Sequence, residues 1–190
     1  MPAISATDIG ARIVAVAARF VGLTEIAPNA KWDDLSTPGP DQRAADLAKL
    51  LALGGWEPGA AYCASFVRGV WMTACQELGA PAVVLATIRR QLSPSVMQTF
   101  TRNQGAVERV PVVGSMMLLQ FGKSDRGHAG IVVQANAESY WTIDANTSGV
   151  VTTAAKEREG EGVYRKPPRK LDFTRRPGLW LRGFLPPPTW

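Results

Sequence analysis

The first half of the chain places apolar residues at helical spacing between short polar or glycine-rich breaks. A loop rich in Pro, Asn, Asp and Gly is predicted over residues 28–40. The pattern predicts four helices: one capped by Thr7 or Asp8 and ending near Gly22, one from Asp41 to Gly54, one from Cys63 to Leu78, and one capped by Ser93, with Pro94 in its first turn, to Arg102.

From Val107 onward the pattern changes to short apolar or alternating segments separated by Gly, Asn, Ser and Pro. The predicted strands are Val110–Gln120, Ala129–Gln134, Tyr140–Ala145, Gly162–Arg165 and Leu179–Leu185. Helices followed by strands indicate an α+β fold, with a helical layer packed on a mostly antiparallel sheet of four to six strands. We expect one domain over residues 1–190, with a core of about 8–185 and a Pro-rich tail at 186–190.

Composition and charge exclude some classes of protein. The 190 residues are 46% hydrophobic and 19% charged, as in ordinary globular proteins. The sequence contains no apolar run of about 18 residues, the length that a membrane span needs. The first ten residues lack the basic start of a signal peptide. The net charge of +5 lies in residues 156–190, which carry nine basic and four acidic residues. This basic C-terminal region indicates contact with an anionic polymer, or simply a solvated face.

The chain has two cysteines and one histidine, so few groups are available for thiol chemistry. Cys63 follows a Gly- and Pro-containing segment and opens a predicted helix, where free N–H groups lower a thiol pKa. The alternative is a small buried cysteine at a helix start. Cys75 lies in the middle of the same helix, roughly 18 Å away, and is predicted to be a core residue that cannot form a disulfide with Cys63. With one histidine and no CxxC pair, a metal site is not expected.

The second candidate group lies on the predicted strands. His128 stands where a polar turn enters an apolar strand, between Gly127 and Gly130. On the next strand Asp144 and Asn146 are two residues apart, so they share a face and could orient one imidazole. Alternatively, they are the polar end of a strand.

Four segments resemble the CHAP family of cysteine, histidine-dependent amidohydrolases/peptidases, which cleave peptidoglycan in phage endolysins and bacterial wall hydrolases. They are Ala61–Val67, Gly114–Met117, Gly127–Val132 and Thr142–Thr147. The resemblance implies a papain-like fold with Cys63 as nucleophile and His128 as general base. Asp144 and Asn146 match the positions that follow the histidine. The resemblance allows either residue to orient the imidazole. Because Asp144 is short where the family favours Glu, we favour Asn146 as the direct contact, with Asp144 supporting it.

The resemblance further implies a peptidoglycan hydrolase, either an N-acetylmuramoyl-L-alanine amidase or an endopeptidase of the stem or cross-bridge. Such an enzyme needs no metal or organic cofactor. With no signal peptide expected, it would be made in the cytoplasm and reach the wall through a holin or a secretion system. The alternatives are a thiol hydrolase or toxin acting on proteins or small amides, and a catalytically inactive wall-binding module. Nucleic-acid binding is not expected, since the basic region lacks interleaved aromatic residues on a defined face. No oligomeric state is predicted.

Overall fold

A computed structural model describes residues 4–36, 39, 41–149 and 160–190 of the chain. The five helices of this part are α1 (Ala6–Ala18), α2 (Gln42–Leu53), α3 (Cys63–Glu77), α4 (Ala82–Gln91) and α5 (Val96–Arg102). Its seven strands are β1 (Thr24–Ala27), β2 (Lys31–Asp33), β3 (Met116–Phe121), β4 (Gly127–Ala135), β5 (Ser139–Thr147), β6 (Gly162–Lys170) and β7 (Leu179–Leu185). No helix in the described part is long and apolar enough to cross a membrane.

Side chains at the helix starts explain where α1 and α2 begin. The Ser5 hydroxyl accepts a hydrogen bond from the Asp8 N–H, and the Asp8 carboxylate accepts one from the Ser5 N–H, which forms a capping box. The cap of α1 is therefore Ser5, and the prediction of Thr7 or Asp8 is wrong by two or three positions. Asp41 caps α2 by accepting from the Arg43 N–H at 2.7 Å, as predicted.

Two helices pack very closely beneath the site described below. A Cβ at Gly69 of α3 would lie 2.3 Å from the carbonyl oxygen of Leu50 in α2, so only glycine fits there. On its other side, α3 packs on β4 and β5. The position of α3 is thus set from both sides, by a neighbouring helix and by the sheet.

The described strands form one sheet in the order β2-β1-β6-β5-β4-β3-β7, and each neighbouring pair is antiparallel. Apolar residues on one face pack against the helices, among them Ile131 and Ile143. The other face carries a second cluster: Met117, Leu119, Val132, Tyr140, Leu179, Leu181 and Phe184. The α+β class and the antiparallel sheet are confirmed.

Several predicted elements differ from the structure. The sheet has more strands than the predicted four to six, because β1 and β2 are three or four residues long and carry too little alternation to be recognised. Helix α4 was not predicted. The last helix is capped by Ser95 instead of Ser93, whose own N–H is held by Thr99 Oγ1 at 2.8 Å. The strand predicted from Val110 begins at Met116, after a break at Gly114, where φ is +88°.

Candidate active site

Cys63 is the first residue of α3 and is only 5% exposed. Tyr62, which precedes it, has the N-cap position but supplies no side-chain cap, so the helix start keeps free N–H groups. Burial by itself would raise the pKa of the Cys63 thiol. Interaction with the imidazole of His128 and hydrogen bonds from the backbone N–H groups of Ala129 and Ala64 overcome this and lower the pKa.

His128 is the second residue of β4 and is completely buried. Its Nε2 lies 3.0 Å from Oδ2 of Asp144, which is also completely buried. Nε2 is thus committed to Asp144, and Nδ1 is the ring nitrogen left for the thiol of Cys63. No described residue forms a hydrogen bond of good geometry with Nδ1. The thiol of Cys63 still lies close enough to the imidazole to interact with it electrostatically.

The register of the sheet brings Asp144 to the histidine. Gly130 of β4 pairs with Asp144 of β5, two residues beyond His128. A Cβ at Gly130 would lie 1.9 Å from Asp144 Oδ1, so the missing side chain is the space that the carboxylate occupies.

A guanidinium that the sequence analysis did not identify completes the site. Arg169, near the end of β6, donates from Nη2 to Asp144 Oδ2 at 2.8 Å and from Nη1 to Thr142 Oγ1 at 2.6 Å. Its side chain is 16% exposed and borders a cavity of about 390 Å³, which Tyr140 and Arg176 also line.

The charges of the site alternate. Burial opposes ionisation of Asp144, but Arg169 and His128 outweigh it and hold its pKa well below the usual range. Burial likewise lowers the pKa of His128, but hydrogen bonds to Asp144 and Cys63 raise it to about 9. Because the pKa of Cys63 is lowered and that of His128 is raised, the site favours a thiolate and an imidazolium in sequence with the carboxylate and the guanidinium. Each charge is compensated by its neighbours.

No family model, curated protein or solved structure matches this chain.

Asn146 has a different place from the one expected of it. Its Oδ1 accepts from the backbone N–H of Tyr62 at 3.4 Å, so its amide is bonded to the residue before Cys63. The prediction that Asn146, instead of Asp144, contacts His128 directly is therefore wrong. The physical reason is local: Asn146 has φ of +57° at an irregularity of β5, which interrupts the strand alternation.

Aromatic side chains surround the start of α3. Trp32 of β2 packs edge-on against both Trp56 and Tyr62, with ring centroids 5.3 Å apart in each pair. The Asn29 carbonyl accepts from the Gly59 N–H, which ties the β1–β2 hairpin to the loop that precedes α3. This hairpin, which the sequence pattern predicts largely as a loop, packs against Tyr62, the residue before Cys63.

The remaining predicted features are Cys75 and, apart from Arg169, the basic C-terminal region. Cys75 is buried in α3, and burial raises the pKa of its thiol to about 11. In the basic C-terminal region, Arg182 lies 3.9 Å over the Phe100 ring and Arg176 pairs with Asp172 at 3.4 Å. Part of the positive charge of this region thus takes part in a cation–π contact and an ion pair within the protein. Residues 156–159, which also contribute to the predicted basic region, lie outside the described residues.

Proposed function

We propose that this chain is a papain-like thiol hydrolase that cleaves an amide bond of peptidoglycan. The observation that carries the proposal is the buried series of Cys63, His128 and Asp144. It joins a thiol at a helix start to an imidazole whose far nitrogen is held by a carboxylate. This is the arrangement of nucleophile, base and orienting group that covalent hydrolysis requires.

The arrangement supports the following reaction. The Cys63 thiolate attacks the amide carbonyl carbon and forms a C–S bond, while the carbonyl electrons move to oxygen. Backbone N–H groups at the start of α3 stabilise this oxyanion. His128 then donates its proton to the leaving nitrogen as the C–N bond breaks, which leaves a thioester and a neutral imidazole. The imidazole takes a proton from water, the resulting hydroxide attacks the thioester, and the thiolate is released.

Peptidoglycan is proposed as substrate because the segments around Cys63, His128 and Asp144 resemble those of CHAP domains. The cleaved amide bond would be the one that joins muramic acid to L-alanine, or one within the stem or cross-bridge peptide. Access to the wall would depend on a holin or a secretion system. The basic C-terminal region would add attraction to anionic wall polymers.

Digestion of purified peptidoglycan, followed by mass spectrometry of the soluble fragments, tests this proposal. An amidase releases peptides with a free N-terminal alanine, whereas an endopeptidase releases fragments with new ends inside the peptide. Cys63→Ala should release none, and Cys75→Ala, a change in the same helix, should act like the wild type.

The possible failures are distinguishable. Fragments released by Cys63→Ala at the wild-type rate would contradict the thiol mechanism. If Cys63 reacts with iodoacetamide near pH 6 but no peptidoglycan type is cut, the substrate is wrong and the reactive thiol remains.

A further inference from the structure

We infer that Arg169 is a positioning residue, which holds the Asp144 carboxylate against His128 and so maintains the Cys63–His128 ion pair. The inference deepens the proposed function, because it assigns a role in that same site to a residue with no counterpart among the sequence-predicted ones.

The contacts of Arg169 fit such a role. Its two terminal nitrogens bond Thr142 Oγ1 and Asp144 Oδ2, which belong to alternate residues of one strand. The planar guanidinium therefore spans two side chains and restricts rotation of the carboxylate. Asp144 Oδ1 has no hydrogen-bond partner among the described residues, so Oδ2 receives both Arg169 and His128. The position of Asp144 Oδ2 therefore determines whether the carboxylate contacts His128 Nε2.

A bulge in β6 aims Arg169 at this carboxylate. Tyr140 of β5 pairs with Arg169, but Thr142, two residues on, pairs with Lys166, three residues back. Since cross-strand partners share a face, Arg169 and Lys166 lie on the same face, although residues three apart in a regular strand would not. The extra residue falls at Pro167 and Pro168, which is where sheets tolerate proline. Without the bulge Arg169 would point away from Asp144.

Charge gives Arg169 a second effect. Among the described residues, His128 of β4 and Arg169 of β6 bond the Asp144 carboxylate, and Cys63 of α3 acts on it through the imidazole. Tyr164 and Lys166 lie across β6 on the same face as Asp144. The Tyr164 hydroxyl is within 3.0 Å of Thr24 Oγ1, and Lys166 Nζ donates to Thr147 Oγ1 at 3.2 Å. Without Arg169 the imidazolium would be the one countercharge that the described residues place on the buried carboxylate, and the pKa of Asp144 would rise. Once protonated, Asp144 would cease to stabilise the imidazolium, and the thiolate would take up a proton at a higher pH than in the wild type.

The pH dependence of Cys63 alkylation by iodoacetamide measures this effect without any peptidoglycan. All proteins carry Cys75→Ala, so that Cys63 is the single thiol. Arg169→Gln should move the acid limb of the alkylation profile upward by about one pH unit, which is about tenfold slower reaction on that limb. Arg169→Lys keeps the charge but lacks the planar pair of nitrogens that bond Thr142 and Asp144. Its acid limb should therefore lie between those of the parent and Arg169→Gln. Arg176→Gln, which removes an arginine beside the same cavity, should match the parent.

A folded Arg169→Gln protein whose limb coincides with that of Arg176→Gln would overturn the inference and leave Arg169 as a structural tie between strands. If Arg169→Gln does not fold, Arg169→Lys tests the inference in its place. An acid limb of Arg169→Lys identical to the parent's would show that the paired contacts with Thr142 and Asp144 do not position the carboxylate. A parent thiol that fails to react near pH 6 would contradict this inference and the proposed mechanism together. Failure to cut peptidoglycan, with the alkylation limb shifted as expected, would contradict only the proposed substrate.

Discussion

Replacing Asp144 by Asn tests the site most directly. The change preserves the size of the side chain but removes the charge on which His128 Nε2 and Arg169 Nη2 converge. The amide can still accept one hydrogen bond, so the fold around it should persist. The imidazolium, however, loses its buried counter-ion. We therefore expect Asp144→Asn to fold and to have lost most of its activity.

The expected loss of activity in Asp144→Asn can be worked out from the pKa of His128. Burial lowers the pKa of His128, yet Asp144 and Cys63 together raise it from 6.5 to about 9, a difference of about 3 kcal/mol. Both His128 and Asp144 are fully buried, so solvent screens little of this energy. If most of it comes from the carboxylate, kcat/KM should fall by about 10²-fold.

The assay is the initial rate of peptidoglycan solubilisation from about pH 5 to about pH 9. Asp144→Asn should show the lower rate and an alkaline limb displaced to lower pH, because the imidazole releases its proton more easily. Asp172→Asn, which removes a partly exposed carboxylate paired with Arg176, is the matched control. Equal kcat/KM and equal pH limbs in the two variants would refute the reasoning.

Three further outcomes are expected. In Cys63→Ala, Asp144 alone raises the pKa of His128 against burial, so the pH window of the shift is narrower than in the parent. The stability it contributes is full below pH 6.5 and is lost as pH rises above that value, so Tm should fall over this range in thermal melts. In the parent the lowered pKa of Cys63 opposes this dependence, and Tm should change less with pH. Asn146→Ala should lower kcat/KM less than Asp144→Asn and leave the pH limbs in place, since its amide bonds a backbone N–H. Gly130→Ala should inactivate about as strongly as Asp144→Asn by displacing the carboxylate, whereas Gly105→Ala, which adds a methyl group in open space, should retain full turnover.

Local patterns were enough to predict where in the fold Cys63 and His128 lie. A helix start at Cys63 and a strand entrance at His128 can both be recognised from neighbouring residues, and period-two alternation puts Asp144 on a usable face. The place of Asn146 could not be predicted, because its left-handed backbone interrupts that alternation. Arg169 could not be identified either, since the bulge that aims it depends on pairing between two distant strands.

The separation of the two thiols along α3 determines how the protein responds to oxidants. Both cysteines are free, and Cys75 lies in the helix interior about 18 Å from Cys63, too far to form a disulfide. A sulfenic acid formed at Cys63 by peroxide therefore has no internal thiol to condense with. External thiols alone could return it to the reduced state, and further oxidation to the sulfinic acid would be permanent. Cys63 is an oxidisable thiol without a resolving cysteine, so a reaction that used it would depend on the reducing capacity of the surroundings.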